Sequence, residues 1–136
     1  MKFRPILSTE IRDCLSCKQL DLFGLIKSFG SPLNLLFPNM LLENAATFNG
    51  VFSKNKIDGK IFYACKANKA ESLVETCAYS DIGIEASSIF ELRKALSHGV
   101  FGGNIIISGS SKTKSFLCLG IRQNCYISID DISELF

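Results

Sequence analysis

The sequence contains no apolar run that reaches the roughly 18 residues of a membrane span, so no membrane-crossing helix is expected. It has little net charge, +2 at pH 7, and no clustered basic face of the kind that recruits nucleic acid. It has one histidine, His98, and one CxxC, Cys14 and Cys17, with no second pair; no metal site is expected. No secretory signal is expected, because Met1-Lys2-Phe3-Arg4-Pro5-Ile6-Leu7 breaks into polar Ser8-Thr9-Glu10 before an apolar core can form. Without such a signal, cysteines 14, 17, 65, 77, 118 and 125 read as reduced, mostly buried thiols, and a cytoplasmic protein is expected.

What is present points to a globular chain. Apolar residues make up 47% and charged residues 21%, which excludes general disorder, and 136 residues suffice for one ordinary domain. Ile11, Leu15, Leu22, Leu25, Ile26 and Phe29 recur at helical spacing from Ser8 to about Phe29, with Ser8 or Thr9 as N-cap, and Gly30-Ser31-Pro32 stops that helix. Leu33 to Phe37 reads as a short strand before Pro38. A second amphipathic helix runs from about Asn39 to Lys54.

After Gly59 the pattern changes. Four short apolar runs appear, Ile61–Cys65, Ile82–Ala86, Ile105–Ile107 and Cys125–Ile129, whose starts lie 21, 23 and 20 residues apart. Helical patterns lie between them; the second opens at Ser87-Ser88 and closes at His98-Gly99. A strand–helix unit of about 20 residues is the mark of parallel β/α structure, and continuous apolar strands fit a sheet covered on both faces. Spacing alone leaves two architectures open, a doubly wound sheet or part of a (β/α)8 barrel. After the fourth run, Asp130 and Asp131 cap a helix of which only one turn follows, so the chain reads as truncated.

In parallel β/α folds ligands bind at the carboxyl ends of the strands. Lys66 stands at such an end, directly after Phe62-Tyr63-Ala64-Cys65. A partly desolvated lysine there would offer a neutral amine for Schiff-base chemistry. The plainer reading is a solvated lysine that merely ends the strand.

Tyr63-Ala64-Cys65-Lys66-Ala67-Asn68 resembles the Tyr-Ala-x-Lys-Ala-Asn signature of the fold-type III pyridoxal-phosphate enzymes, the diaminopimelate, ornithine and arginine decarboxylase family with its alanine-racemase-like barrel. Three further stretches are similar, in order: Ile84 to Leu92 to Asp-Val-x-Ser-x-x-Glu-Leu, Ile105 to Thr113 to the third strand and its Gly-x-x-Lys loop, and Ile127 to Leu135 to Asn-Val-Asp-Ser-x-x-Glu-Leu. Upstream, Ser31-Pro32-Leu33 resembles the Thr-Pro-Leu that leads into the barrel. The resemblance implies an α/β fold: a helical leader over 1–30, then over 31–136 the first four β/α units of a pyridoxal-phosphate-binding TIM barrel. It implies that Lys66 carries pyridoxal 5′-phosphate as a Schiff base, and that Glu85, where the family has aspartate, lies near the cofactor. Lys69 departs from the Pro or Ser common after Lys-Ala-Asn.

The family's His-x-Gly-Ser loop, glycine-rich phosphate loop and Glu-Pro-Gly-Arg segment have no counterpart in 1–136. His98, before Gly99, reads as a helix-end residue and not as a stand-in for the histidine of that loop. Gly109-Ser110-Ser111-Lys112 lacks phosphate-loop spacing and reads as a loop or helix cap. The expected function is the N-terminal part of a decarboxylase that removes the α-carboxylate of a diaminopimelate-, ornithine- or lysine-like amino acid, homodimeric in its full-length form. The alternatives are a non-catalytic truncated remnant or half-barrel assembly partner, or an amino-acid racemase of the same fold.

Overall fold

The computed structural model describes residues 9–17 and 21–135 and divides the chain into two compact units, residues 1–36 and 37–136. The first unit contains α1 (Thr9–Ser16) and α2 (Leu22–Phe29). The single helix expected up to Phe29 is therefore two. The second has its own start, because the Asp21 side chain accepts a hydrogen bond from Gly24 N at 3.0 Å, the N-cap interaction that short acidic residues make well. Of the two expected caps of the first, Ser8 lies outside the described residues and Thr9 is already the first residue of the helix. Leu33–Phe37 forms no strand and runs as irregular chain between two prolines.

The second unit opens with α3 (Pro38–Asn55), which has Pro38 in its first turn, where the missing N–H costs nothing. Then β1 (Phe62–Ala64), α4 (Glu71–Ala78), β2 (Gly83–Ala86), α5 (Ile89–Ser97), β3 (Ile105–Ile107), α6 (Lys114–Arg122) and β4 (Tyr126–Ile127) alternate. All strand pairs are parallel, and the sheet order is β1-β2-β3-β4. This order settles what spacing left open. A doubly wound sheet reverses direction from a switch point, whereas a barrel adds each strand beside the last. The unit is the N-terminal half of a barrel. Past β4 the expected helix is a single tight turn over Ile132–Leu135, and Ser133 N donates to Asp131 Oδ1 at 2.8 Å.

Covering on both faces, expected from the continuous apolar strands, is found on one face only. Ile84, Ala86, Ile105 and Ile107 are fully buried and share a core with Val74, Cys77, Leu92, Ala95 and Phe116 of α4, α5 and α6. Each such large aliphatic side chain contributes about 1.5–3 kcal/mol by leaving water. Alternate positions such as Glu85 and Ile106 are only half buried, because in a barrel that face looks inward toward strands from the other half. Phe62 lies across Gly83 on this second face.

Helix α5 ends as read: Ser88 caps its start by accepting from Glu91 N at 3.3 Å, and Gly99 follows its last turn at φ +82°, a left-handed conformation that glycine adopts freely. His98 Nδ1 meets the Lys94 carbonyl at 2.9 Å and Nε2 meets Glu71 Oε1 at 3.3 Å, a helix-end arrangement. Of the six free thiols, Cys65 and Cys77 are buried and Cys17 is exposed. Burial pushes the Cys77 thiol up to about 12, so it stays protonated at neutral pH. Among the described residues no helix is long and apolar enough to cross a membrane.

Candidate active site

Side chains alternate across a strand, so residues two apart share a face. Ala64 pairs with Glu85, and Glu85 with Ile106. Two residues beyond Ala64 stands Lys66, and two beyond Ile106 stands Ser108; both therefore belong to the face of Glu85, at the carboxyl edge of the sheet. The ladder continues just far enough to hold them, with Cys65 N donating to Glu85 O at 3.0 Å and Ser108 N to Ala86 O at 3.0 Å.

There the three side chains meet. Lys66 Nζ lies 3.2 Å from Glu85 Oε1, and Ser108 Oγ donates to the same oxygen at 2.5 Å. Ser87 Oγ is 3.2 Å from Ser108 Oγ. The Ser108 hydroxyl, and then the Lys66 amine, hold the Glu85 carboxyl below its ordinary value against the opposing effect of burial. Glu85 is thus an anion at neutral pH. The Lys66 side chain is 60% exposed. The partial desolvation considered for it is not found among the described residues of the second unit, where no layer covers the inward face.

The loop that carries Lys66 is braced by its own motif. Ala67 N donates to Ala64 O at 3.0 Å, closing a turn. The Tyr63 hydroxyl donates to the Asn68 carbonyl at 2.8 Å, and Asn68 Oδ1 accepts from Ala70 N at 3.0 Å. Burial raises the Tyr63 phenol, which keeps that donor protonated. Tyrosine and asparagine at this spacing tie both ends of the turn.

A second brace comes from α5. Glu91 is buried, 4% exposed, and its carboxylate accepts from Ser87 N at 2.8 Å while pairing with Lys69 Nζ at 2.8 Å. Lys94 Nζ donates to the Lys69 carbonyl at 2.7 Å. The unusual Lys69 therefore has a partner that explains it. Reading the sequence missed Ser87, Ser108 and the Lys69–Glu91 pair. Ser88 followed three residues later by Glu91 is a capping-box spacing that signals the Glu91 carboxylate turning back to the start of α5, where it meets Ser87 N, but not its pairing with Lys69. The two-residue period from Ile106 would have placed Ser108.

Lys112 lies elsewhere. Its Nζ pairs with Glu134 Oε2 at 2.9 Å and donates to Gly109 O at 2.6 Å, while Thr113 caps α6. The Gly109–Lys112 segment is a loop tied to the turn after β4, in keeping with the loop reading.

Fold and site together define a β/α half-barrel that presents a lysine, a carboxylate and two hydroxyls at the carboxyl ends of its first three strands. Residues 42–136 match the family described as pyridoxal-dependent decarboxylase, pyridoxal binding domain, and the chain belongs to that family. It is 36% identical over 131 residues to the uncharacterized protein y4yA of Sinorhizobium fredii, a match spanning 96% of this chain and 29% of that protein. It is 31% identical to the diaminopimelate decarboxylase of Campylobacter jejuni, over 85% of this chain and 29% of the enzyme. It is 29% identical to the biosynthetic arginine decarboxylase of Pseudomonas aeruginosa, over 85% of this chain and 20% of the enzyme. The chain thus spans less than a third of the length of these relatives. The family's cofactor is pyridoxal phosphate, and residues 42–136 match part of its pyridoxal-binding barrel.

Proposed function

We propose that this chain is the cofactor-anchoring part of a cytoplasmic, homodimeric amino-acid decarboxylase, with Lys66 as the residue that holds pyridoxal phosphate covalently. The observation that carries this is the placement of Lys66 Nζ on the inward face at the end of β1, 3.2 Å from the Glu85 carboxylate. The residues fit the group. An aldehyde needs an accessible primary amine, and Lys66 is the lysine that projects from the carboxyl edge of the sheet onto the face of Glu85. Lys69 serves the brace with the buried Glu91, and the Lys112 side chain is buried against Glu134. The bound cofactor supplies the electron sink that loss of an α-carboxylate requires.

The chain's own residues bind and orient. Glu85 stays ionised and keeps a hydrogen-bond acceptor at the Lys66 amine. Tyr63, Asn68 and the Lys69–Glu91 pair hold the turn on which Lys66 stands. The substrate we propose is a diaminopimelate-, ornithine- or lysine-like amino acid, supported by relatives named diaminopimelate and arginine decarboxylase.

Borohydride treatment of the protein with pyridoxal phosphate, the remaining barrel being supplied, followed by peptide mapping, tests the assignment. The pyridoxyl group is expected on Lys66, and Lys66→Ala should abolish that labelled peptide. A label on Lys69 or Lys112 in its place overturns it. A non-catalytic assembly role is a second reading, favoured by the exposure of Tyr126 (61%) on the outer strand β4 and of Ile132 (72%) beyond it.

A further inference from the structure

We propose that Ser108 is a positioning residue for the Lys66–Glu85 pair: its hydroxyl, oriented by Ser87, pins Glu85 Oε1 against the lysine amine. This deepens the reading of Lys66 given above and rests on it.

The geometry fixes the direction of every proton. A carboxylate only accepts, so Ser108 donates to Glu85 Oε1. With that proton committed, the Ser87 hydroxyl donates to Ser108. Lys66 also donates to Oε1. Two donors from different strands therefore converge on one oxygen, and a third donor orients one of them.

The register explains why a glutamate fits. Glu85 lies level with Ala64 and Ile106. Lys66 and Ser108 stand two residues further along their strands, a rise of about 6.6 Å. An acid at 85 must reach forward between them, and the extra methylene relative to aspartate supplies reach. It also adds a freely rotating bond on an open face. Ser108 removes that freedom by holding Oε1 where Lys66 meets it.

The test uses the 136-residue chain without cofactor, labelled with carboxyl-13C glutamate, and follows the Glu85 resonance through an acid titration. Ser108→Ala should move the Glu85 midpoint up toward the ordinary carboxylate value, and Ser108→Thr should return it. Lys66→Met should raise the midpoint in the native chain, and raise it less in the Ser108→Ala background, because an unpinned carboxylate meets the amine less often. An unchanged midpoint in Ser108→Ala overturns the proposal. So does an equal effect of Lys66→Met in both backgrounds, which would make Ser108 a solvating group only. Ser87→Ala, which keeps the Ser108 donor but not its orientation, should give an upward shift smaller than that of Ser108→Ala and supplies the measurement if Ser108→Ala does not fold; no shift there also overturns it. Failure here is separable from failure of the function. A coupled Glu85 with borohydride label on Lys69 strikes the role of Lys66 and with it the purpose of Ser108, whereas an uncoupled Glu85 with label on Lys66 strikes Ser108 alone.

Discussion

At the scale of single residues, the charge on Glu85 is set by its neighbours and not by its exposure. Burial alone would raise its carboxyl, yet the Ser108 hydroxyl and the Lys66 amine outweigh burial and lower it below the ordinary 4.5. A carboxyl that is lower in the folded chain contributes stability that is complete above its unfolded value and is lost as pH falls through its folded value. The urea midpoint of the native chain should therefore drop on acidification below about 4.5 by more than that of Glu85→Gln. Asp131 and Glu134 are lowered by their own hydrogen bonds and titrate in the same window, so the difference between the two chains is the measurement. Identical acid profiles would show that Glu85 gains nothing from its partners on folding.

At the scale of elements, the sheet depends on small residues where side chains cross it. Gly83 is one. A Cβ there would sit 2.4 Å from the Phe62 ring and 3.0 Å from the Asn104 carbonyl, and neither a packed ring nor backbone yields readily. Gly120, within α6, meets only the Ile107 side chain, its Cδ1 tip at 2.6 Å and the rest at ordinary contact distance, and an alanine in mid-helix regains about 1 kcal/mol of propensity. Gly83→Ala should thus destabilise by about 1–3 kcal/mol, and Gly120→Ala by clearly less, in chemical denaturation. Equal costs would show that Phe62 can step aside.

At the scale of the molecule, the second unit has one finished face and one open face. Helices α4, α5 and α6 seal the first against water, while Lys66, Glu85 and Ser108 stand on the second. Catalysis of decarboxylation draws on positioning and on electrostatics in a site that excludes water. The described residues of the second unit show no such enclosure, since the Lys66 side chain is 60% exposed. Purified 1–136 with pyridoxal phosphate is expected to release no carbon dioxide from diaminopimelate, ornithine, lysine or arginine. Light scattering is expected to show association through the outer strands and the exposed Tyr126, Ile129, Ile132 and Leu135. Turnover by a monodisperse monomer would refute the half-barrel as an incomplete site.

Much of this was written in local sequence, because local chemistry enforces it. The repeat of apolar runs announced parallel β/α units, Ser88 and Gly99 marked the limits of α5, and Tyr63 to Asn68 announced the lysine-bearing turn, whose local brace from Tyr63 to Asn68 closes within six residues. Even the separate start of α2 was marked by Asp21, a cap overlooked because the apolar period runs straight through it. Other features are long-range. Whether strands add in order or reverse, and whether a sheet is covered on one side or two, depends on contacts that no 20-residue window contains. Continuous isoleucines look the same on either sheet. The site divides along the same line: Lys66 and Glu85 stood out in their motifs, but Ser108 joins them only because β2 and β3 pair with Glu85 level with Ile106. A hydroxyl 23 residues from its carboxylate acquires meaning only when register brings the two together.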